Sequence, residues 1–219
     1  MKSRQEIKQL AKDAAAHQRG TAILIVFVLF IVSAVMGLIG GLFGAIPFLG
    51  WLLYLAFTSF TVVISVNINK SFAMIWDRNT ANVGDMFTEL GVNFFRKLGG
   101  MWWMSLWIFI WSLLLIVPGI IKTIAYSMTP YILANCPNVT ALDALDLSKR
   151  MTKGHKGKLF VMHLSFIGWI LLSGLTFGIL YIVYVGPYYF TTEAGFFTEL
   201  RDLAIENGTI DRAELGIFD

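Results

Sequence analysis

Two uncharged, apolar stretches of this chain are each long enough to cross the hydrocarbon core of a lipid bilayer as a helix. Thr21–Phe43 and Leu98–Val117 both reach the length of about 20 residues that a spanning helix needs. Similar apolar runs follow each of them, and short charged segments separate the resulting pairs. This pattern is typical of a helical membrane protein and predicts three helical hairpins.

The composition supports a membrane protein without a separate soluble domain. Of the 219 residues, 57% are hydrophobic and only 14% are charged, whereas a soluble domain carries charges at about a quarter of its positions. Lipid is the natural solvent for so much apolar surface. We therefore predict one membrane domain over 1–219, with repeat units at about 1–78, 79–137 and 138–205 and a polar tail at 206–219.

The basic residues predict the orientation in the membrane. All but one of the 17 Lys and Arg residues lie before the first span, between the second and third, between the fourth and fifth, or after the sixth. The positive-inside rule then places both termini in the cytoplasm of a bacterial inner-membrane protein. The exception, Lys122, follows the predicted outer turn at Pro118-Gly119. Since the basic excess acts as an orientation signal, we expect no nucleic-acid partner.

Local patterns predict further helices at the cytoplasmic side. Lys2–His17 has an apolar face, and Ser3 with Glu6 forms a capping-box signature. Thr140–Met151 reads as a second amphipathic helix, with Leu142, Leu145 and Met151 on one face. The predicted fold is an all-α membrane protein of six transmembrane helices, arranged as three hairpin repeats, each preceded by a short amphipathic cytoplasmic helix.

Two Pro-Tyr pairs mark the returning spans of the second and third repeat units. Pro130-Tyr131 and Pro187-Tyr188 occur late in the fourth and sixth spans. Because proline has no backbone N–H, each should kink its helix. The first span ends in a glycine-rich run in which Gly37/Gly41 and Gly40/Gly44 are spaced for close helix packing. The tail after Gly208 is expected to fray.

Several strings in this sequence are specific enough to compare with known families. They are Pro118-Gly-Ile-Ile-Lys122, Tyr126–Leu133, Lys153-Gly-His-Lys156, Leu164–Trp169, Gly186-Pro-Tyr188 and Ala194–Phe197. They resemble a family of bacterial integral membrane proteins known as domain of unknown function, family 975. The resemblance extends over essentially the whole chain, and a more distant one links it to the membrane domain fused to some glycerophosphodiester phosphodiesterases. It implies a multi-span membrane protein and no particular activity.

Polar side chains are concentrated in the returning spans, which we therefore expect to form the inner layer of the bundle. Stripes run through Tyr54, Thr58, Thr61 and Ser65, through Lys122, Tyr126 and Thr129, and through Tyr181, Tyr184, Tyr188 and Thr192. One hypothesis assigns these stripes to hydrogen bonds between helices. The other assigns them to a shared groove that holds an amphiphile or a lipid headgroup. The candidate groove residues are Lys122, Tyr126, Tyr184, Tyr188 and Glu193.

Two further features could contact ligands or neighbouring charges. Glu193 is expected to cap local polar groups or to pair with a base of the loop between the fourth and fifth spans. That basic loop would attract anionic lipids at about 1 kcal/mol per charge, although membrane orientation alone also explains its charge. The candidate lipid contacts in the loop are Lys149, Arg150, Lys153, His155, Lys156 and Lys158.

Signatures of enzymes and metal sites are not found in the sequence. The three histidines are dispersed, and Cys136 is the single cysteine, so we predict neither a metal nor another cofactor, and no enzymatic activity. His163 is interpreted as a packed or interface residue. The leading hypothesis is a lipid- or amphiphile-binding or accessory module in envelope maintenance or export.

Two alternatives for the function stay open. One is a small transporter or channel. The other is a scaffold for a membrane-protein partner or for a second copy of the chain, bound through the face of Trp103, Trp107 and Trp111.

Overall fold

The computed structural model describes residues 2–43, 46 and 48–216. Helix makes up 81% of the chain, and the described residues contain no strand, so the predicted all-α class is confirmed. Pro47 and Gly44 of the predicted first turn lie outside the described residues. The helices are α1 (Arg4–His17), α2 (Arg19–Phe43), α3 (Leu49–Trp76), α4 (Asp85–Thr88), α5 (Phe94–Leu114), α6 (Ile116–Ala125), α7 (Thr129–Asn135), α8 (Ala141–Met151), α9 (Lys156–Leu175), a π-helix (Tyr181–Val185), α10 (Gly186–Glu206) and a 3-10 helix (Ala213–Leu215).

Four helical segments have the length and apolar composition of membrane spans. They are Arg19–Phe43, Gly50–Trp76, Ile116–Asn135 and Lys156–Leu175. The third of them contains both α6 and α7 and is interrupted between them. A helical protein with several candidate spans is therefore established, while six spans in three hairpin repeats stay a prediction.

The first helix begins as its sequence predicts and packs against the last long helix. The Ser3 hydroxyl accepts the Glu6 amide, and the Glu6 carboxylate accepts the Ser3 amide, which completes the capping box. Ile7 and Ala11 are fully buried, and Lys2 forms an ion pair with Glu199 of α10. The helix α1 is thus held against the bundle.

The helices α2 and α3 pack closely along each other. A Cβ atom at Gly40 would lie 2.7 Å from the Tyr54 ring, so glycine is required at this crossing. A Cβ atom at Gly37 or Gly41 would meet nothing within 4 Å. Among the described glycines of the two predicted pairs, therefore, only Gly40 mediates close packing.

The helix α5 begins beside the middle of α3 rather than beside its end. The rings of Phe94 and Phe60 lie 5.4 Å apart, and Phe60 precedes the last residue of α3, Trp76, by about 24 Å of helix. At its far end, the Trp111 ring lies 4.8 Å below the Lys122 ammonium of α6. The charges of Lys149 and Lys156 act on that ammonium.

The second predicted turn lies closer to Leu115 than to Pro118-Gly119. The side of the bilayer that this turn occupies stays a prediction. The chain reverses at Leu115, which is extended, and Pro118 lies in the first turn of α6. Gly119 instead allows close packing, since its Cβ would lie 2.9 Å from the Ser112 Cα.

The predicted amphipathic helix α8 is inserted against the bundle. Thr140 caps it by accepting the Asp143 amide, as predicted. Leu145 and Met151 are buried, but Leu142 is 59% exposed, so the predicted apolar face is wrong at Leu142. The reason is that the face of α8 that packs on α5, α7 and α10 is centred on the small and medium residues Ala144, Leu147 and Ser148.

The core is built mainly by the returning helices. Phe72 of α3 stacks on Phe190 of α10 at 5.1 Å, and Tyr131 of α7 stacks on Phe197 at 5.4 Å. Gly195 has no room for a side chain, because ring atoms of Trp76 lie 2.5–2.8 Å from the position of its Cβ. The predicted inner layer is thus observed for α7, for α10 and for the second half of α3.

The C-terminal tail docks on the protein instead of fraying after Gly208. Ile210 and Leu215 are each 2% exposed. Both guanidinium Nη atoms of Arg150 donate to the Glu214 carboxylate, at 2.6 and 2.8 Å. This guanidinium, together with the Asp211 amide, lowers the pKa of Glu214 to about 2. Residues 217–219 of the tail lie outside the described part.

A lysine is buried where α5 meets α3 and α4. Lys97 is 2% exposed, and its ammonium donates to Asn67 Oδ1 at 2.7 Å and to the Glu89 carbonyl at 3.2 Å. Asn67 donates in turn to the Met86 carbonyl at 2.9 Å. Lys70, which is 38% exposed at its side chain, pairs with Glu89 at 2.8 Å. The cluster ties the start of α5 to α3.

Replacement of Lys97 is expected to destabilise the protein more than replacement of Lys70. Lys97→Met leaves the buried Asn67 oxygen without a donor, at a cost of about 1–3 kcal/mol, whereas the half-exposed pair lost in Lys70→Met contributes at most about 1 kcal/mol. Apparent melting temperatures of the detergent-purified variants measure the difference. Equal losses in the two variants would contradict the assigned role of Lys97.

Candidate functional site

An apolar cavity of about 470 Å³ lies between α5, α6, α9 and α10. Aliphatic side chains such as Met104, Ile108 and Ile167 form much of its wall. Its polar groups lie at the break between α6 and α7 and on α10. A concave apolar site with a few convergent polar groups is the usual form of a small-molecule or lipid-chain site.

The cavity lies where the fourth predicted span is interrupted. After Ala125 the chain forms a turn, and α7 begins at Thr129 with Pro130 in its first turn. Pro130 has no N–H to continue a regular helix, so the kink predicted there is present as a full break. Tyr126, Ser127 and Pro130 all line the cavity.

The carbonyl exposed by this break is satisfied from α8. Ala125 O accepts the Ser148 hydroxyl at 2.9 Å and the Thr152 hydroxyl at 3.3 Å. Both side chains are fully buried. Because a buried carbonyl without a donor is costly, these two hydroxyls stabilise the break and hold α8 against it.

The second proline also interrupts a regular helix. The π-helix Tyr181–Val185 ends directly before Pro187, and the Gly186 amide donates to the Tyr181 carbonyl five residues back. A Cβ at Gly186 would lie 2.8 Å from Val26 Cγ1 and 2.9 Å from that carbonyl. The tight backbone therefore requires glycine at this position. Single-turn π-helices occur frequently at functional sites.

The polar wall of the cavity is a hydrogen-bonded cluster around Glu193. Its Oε1 accepts the Tyr189 hydroxyl at 3.1 Å, and its Oε2 lies 3.4 Å from the Tyr131 hydroxyl. His163 Nδ1 lies 3.1 Å from the Tyr189 hydroxyl, and its Nε2 lies 3.9 Å from Glu193 Oε1. Of the two predicted roles of Glu193, the capping of local polar groups is observed. Among the residues that the structure describes, no base of the basic loop contacts its carboxylate.

The five candidate groove residues fall into two separate places. Tyr126 and Glu193 line the cavity. Lys122 lies beside it, with its ammonium 5.8 Å from the Tyr126 ring centroid. Tyr184 and Tyr188 line a different pocket of about 200 Å³, together with Lys12 and Arg19. The predicted single groove is therefore not formed.

Helical spacing explains why Tyr188 and Glu193 do not line the same pocket. Both lie on α10, five residues apart, and residues at that spacing point to different sides of an α-helix. Tyr184 and Tyr188 face the same way, with rings 5.9 Å apart. The cavity is lined by Tyr189 and Glu193, which are four residues apart on α10.

Most hydroxyls of the predicted stripes bond within their own helix. Thr58, Thr61 and Ser65 donate to carbonyls three or four residues earlier in α3, and Thr192 does the same in α10. The hypothesis of hydrogen bonds between helices is therefore wrong for these four residues. The bonds between elements come from Tyr131, Ser148 and Thr152 instead.

The basic loop is divided between structural and exposed cations. Arg150 is engaged by Glu214 and by the Thr209 carbonyl, so it is not available as a lipid contact. Burial, together with the nearby charge of Lys158, lowers the pKa of His155 and so weakens it as an anionic-lipid contact. Lys149, Lys153 and Lys158 are exposed and Lys156 is half-buried. The predicted anionic-lipid contacts thus reduce to these lysines.

Sequence reasoning missed three residues of the polar wall as site residues: His163, Tyr131 and Tyr189. A usable signal was present, since Tyr189 and Glu193 are spaced to share a helix face and His163 is one of few ionisable residues in the fifth span. The stripe assumed a regular α-helix and therefore selected Tyr188.

One family model matches this part of the chain. Residues 97–204 match the family described as protein of unknown function (DUF975). These residues belong to the DUF975 family. The predicted resemblance is thereby confirmed over α5–α10, although it was expected over essentially the whole chain, and no match supports the likeness to a domain fused to phosphodiesterases. No curated protein and no solved structure matches the chain.

The hydroxyl of Tyr189 is expected to matter more for stability than that of Tyr188. Tyr189→Phe removes the bond to Glu193 and leaves a buried carboxyl oxygen and His163 without a partner, at about 1–3 kcal/mol. Tyr188→Phe is the matched control, since the Tyr188 ring packs against Phe166 and under Lys8. Thermal unfolding in detergent measures both. A larger loss in Tyr188→Phe would contradict the cluster.

Proposed function

We propose that this protein is a multi-span inner-membrane protein with both termini in the cytoplasm, and that it binds lipids or other amphiphiles as a non-enzymatic accessory module. The process it serves is proposed to be envelope maintenance or export. The single observation that carries the binding function is the apolar cavity of about 470 Å³ at the helix break. Its volume and apolar wall suit an acyl chain or a comparable apolar group.

The membrane assignment is supported by the exposed apolar surface. Leu38 and Leu42 of α2, Leu113 of α5 and Leu175 of α9 are each between 69% and 79% exposed. Such surface is unfavourable in water and is stable in lipid. The orientation is supported by the basic residues, because Lys122, the exception in the sequence pattern, lies with the basic loop.

The arrangement of six spans in three hairpin repeats needs one modification. We propose that α2, α3, α9 and the π-helix with α10 cross the bilayer, and that the α5–α6 hairpin lies within the leaflet next to the basic loop. Two observations support this: α5 begins beside the middle of α3, and Lys122 is near Lys149 and Lys156. The helices α6 and α7, of 10 and 7 residues, are each too short to cross alone.

Cysteine labelling distinguishes the two arrangements. In a Cys136→Ser background, Leu175→Cys is expected to react with a membrane-impermeant maleimide in spheroplasts, because it lies at the outer turn. Val117→Cys is expected to react only after permeabilisation, as is the control Lys153→Cys. If Val117→Cys is labelled as readily as Leu175→Cys from outside, the six-span arrangement is correct and our modification is wrong.

The cavity is expected to retain a ligand through purification. Mass spectrometry of the detergent-purified protein should detect a reproducible lipid or amphiphile. Met104→Trp fills the cavity from α5 and should strongly reduce the retained amount, because the larger side chain occupies the space of the apolar group. Leu106→Trp, on the same helix but outside the cavity lining, is the matched control. Equal retention in all three proteins would contradict the proposed site.

A small transporter is the second candidate. It is favoured by the interruption of two predicted spans, at Tyr126–Met128 beside the cavity and at Tyr181–Val185, because transporters form their binding sites at discontinuous helices. Substrate flux or steady conduction in reconstituted vesicles would establish this function over passive binding. The third hypothesis, a scaffold that uses Trp103, Trp107 and Trp111, predicts a defined membrane partner that co-purifies.

A further inference from the structure

Three lysines on three different helices flank the cavity and the helix break beside it. Lys122 of α6 directly precedes Thr123, and Lys156 of α9 lies one helical turn before Phe160; both Thr123 and Phe160 line the cavity. Lys149 belongs to α8. The contact of α8 with α6 is fixed by Ser148, next to Lys149, which donates to the Ala125 carbonyl at 2.9 Å. The cluster is therefore a product of the tertiary fold.

The positive charges of this lysine cluster (Lys122, Lys149 and Lys156) are not balanced by the protein. Among the residues that the structure describes, no carboxylate forms an ion pair with any of the three. Asp146 is the acidic residue that acts on neighbouring Tyr126, but its carboxylate lies 3.6 Å from Arg150. Like charges brought together repel, and an anion between them removes the repulsion.

The lysine cluster is continuous with the cavity. The Lys122 ammonium lies over Trp111 and Tyr126, and the Tyr126 side chain also lines the cavity. Thr123, which follows Lys122, and Phe160, one helical turn after Lys156, line it as well. A molecule with its apolar part in the cavity can therefore place a headgroup near the three ammonium groups.

The start of α9 adds backbone donors to the same place. His155 precedes α9 and makes no side-chain capping bond. The Lys158 and Leu159 amides donate to the His155 carbonyl, so the amides of Lys156 and Gly157 are the ones that can bind a ligand. A Cβ at Gly157 would meet nothing within 4 Å, which leaves the backbone open to a ligand. The positive end of a helix of this length favours an anion.

We propose that the lysine cluster binds the phosphate group of an anionic amphiphile whose apolar part occupies the cavity. This inference rests on the proposed function and names the class of its ligand. Trp111 and Tyr126 hold the Lys122 ammonium in place through their ring faces. Lys149 and Lys156 approach the phosphate from α8 and α9, and the α9 amides complete its coordination.

Titration with phosphatidylglycerol tests the proposal. The full-length protein, purified in detergent, is titrated with phosphatidylglycerol or phosphatidylcholine and followed by native mass spectrometry. The variant carries Lys122→Gln, Lys149→Gln and Lys156→Gln. At about fivefold in affinity for each lost charge, it should bind phosphatidylglycerol roughly 100-fold more weakly than the unmodified chain.

A control variant removes the same number of charges elsewhere on the basic side. It carries Arg19→Gln, Arg78→Gln and Arg212→Gln, all at exposed positions, and should bind phosphatidylglycerol as the unmodified chain does. Equal losses of affinity for phosphatidylglycerol in both variants would overturn the proposal. They would indicate that the general positive charge of the surface attracts the lipid. Should the triple variant fail to fold, the exposed single variant Lys149→Gln replaces it, with an expected loss of about fivefold.

The outcomes separate this inference from the proposed function. If the lysine variant keeps its affinity for phosphatidylglycerol, the proposed phosphate site is wrong. The proposed binding function of the cavity still holds in that case, provided that Met104→Trp abolishes retention of the co-purified lipid or amphiphile. If the unmodified chain binds neither lipid, both proposals fail. Competition by inorganic phosphate identifies the source: displacement of phosphatidylglycerol indicates a site that also takes free phosphate, and no displacement indicates a lipid headgroup. Either result supports a phosphate site.

Discussion

The carbonyl of Ala125 is the group on which the arrangement around the cavity depends. A helix that breaks in an apolar environment leaves carbonyl groups without donors, and each must find a partner within the protein. Here the partners are the hydroxyls of Ser148 and Thr152. One interaction therefore permits the interruption between α6 and α7, holds α8 against it and brings Lys149 towards Lys122.

The polar groups of the protein are gathered at one end, and its apolar surface at the other. Lys97, Asn67 and Glu193 are all buried and all have hydrogen-bond partners within the protein. The distal parts of α2, α5 and α9 expose large apolar side chains instead. This division is what a membrane protein requires, since lipid tolerates apolar surface but cannot satisfy polar groups. The cavity has both apolar and polar walls. Such a site suits an amphiphile, which has an apolar part and a polar part.

Regular helical periodicity predicted the helices well and the candidate site poorly. The bounds of α2, the extension of α3 past Lys70 and the caps at Ser3 and Thr140 follow from local sequence. The tyrosine stripe failed at Tyr188 because Tyr188 and Glu193 are five residues apart on α10 and therefore point to different sides of the helix. Pro187 was visible in the sequence, but a kink, a break and a π-helix are all compatible with its missing N–H. Packing decides among them, since Gly186 lies against Val26.

The sequence by itself determined that this chain is helical and apolar enough for a membrane, and that its basic residues are segregated, because hydropathy and charge are local properties. It also determined membership of the DUF975 family over 97–204. Only the tertiary structure decided that Arg150 pairs with Glu214, and that Tyr131, His163, Tyr189 and Glu193 converge. These features depend on distances between helices, and a single sequence carries no direct record of contacts between residues far apart along the chain.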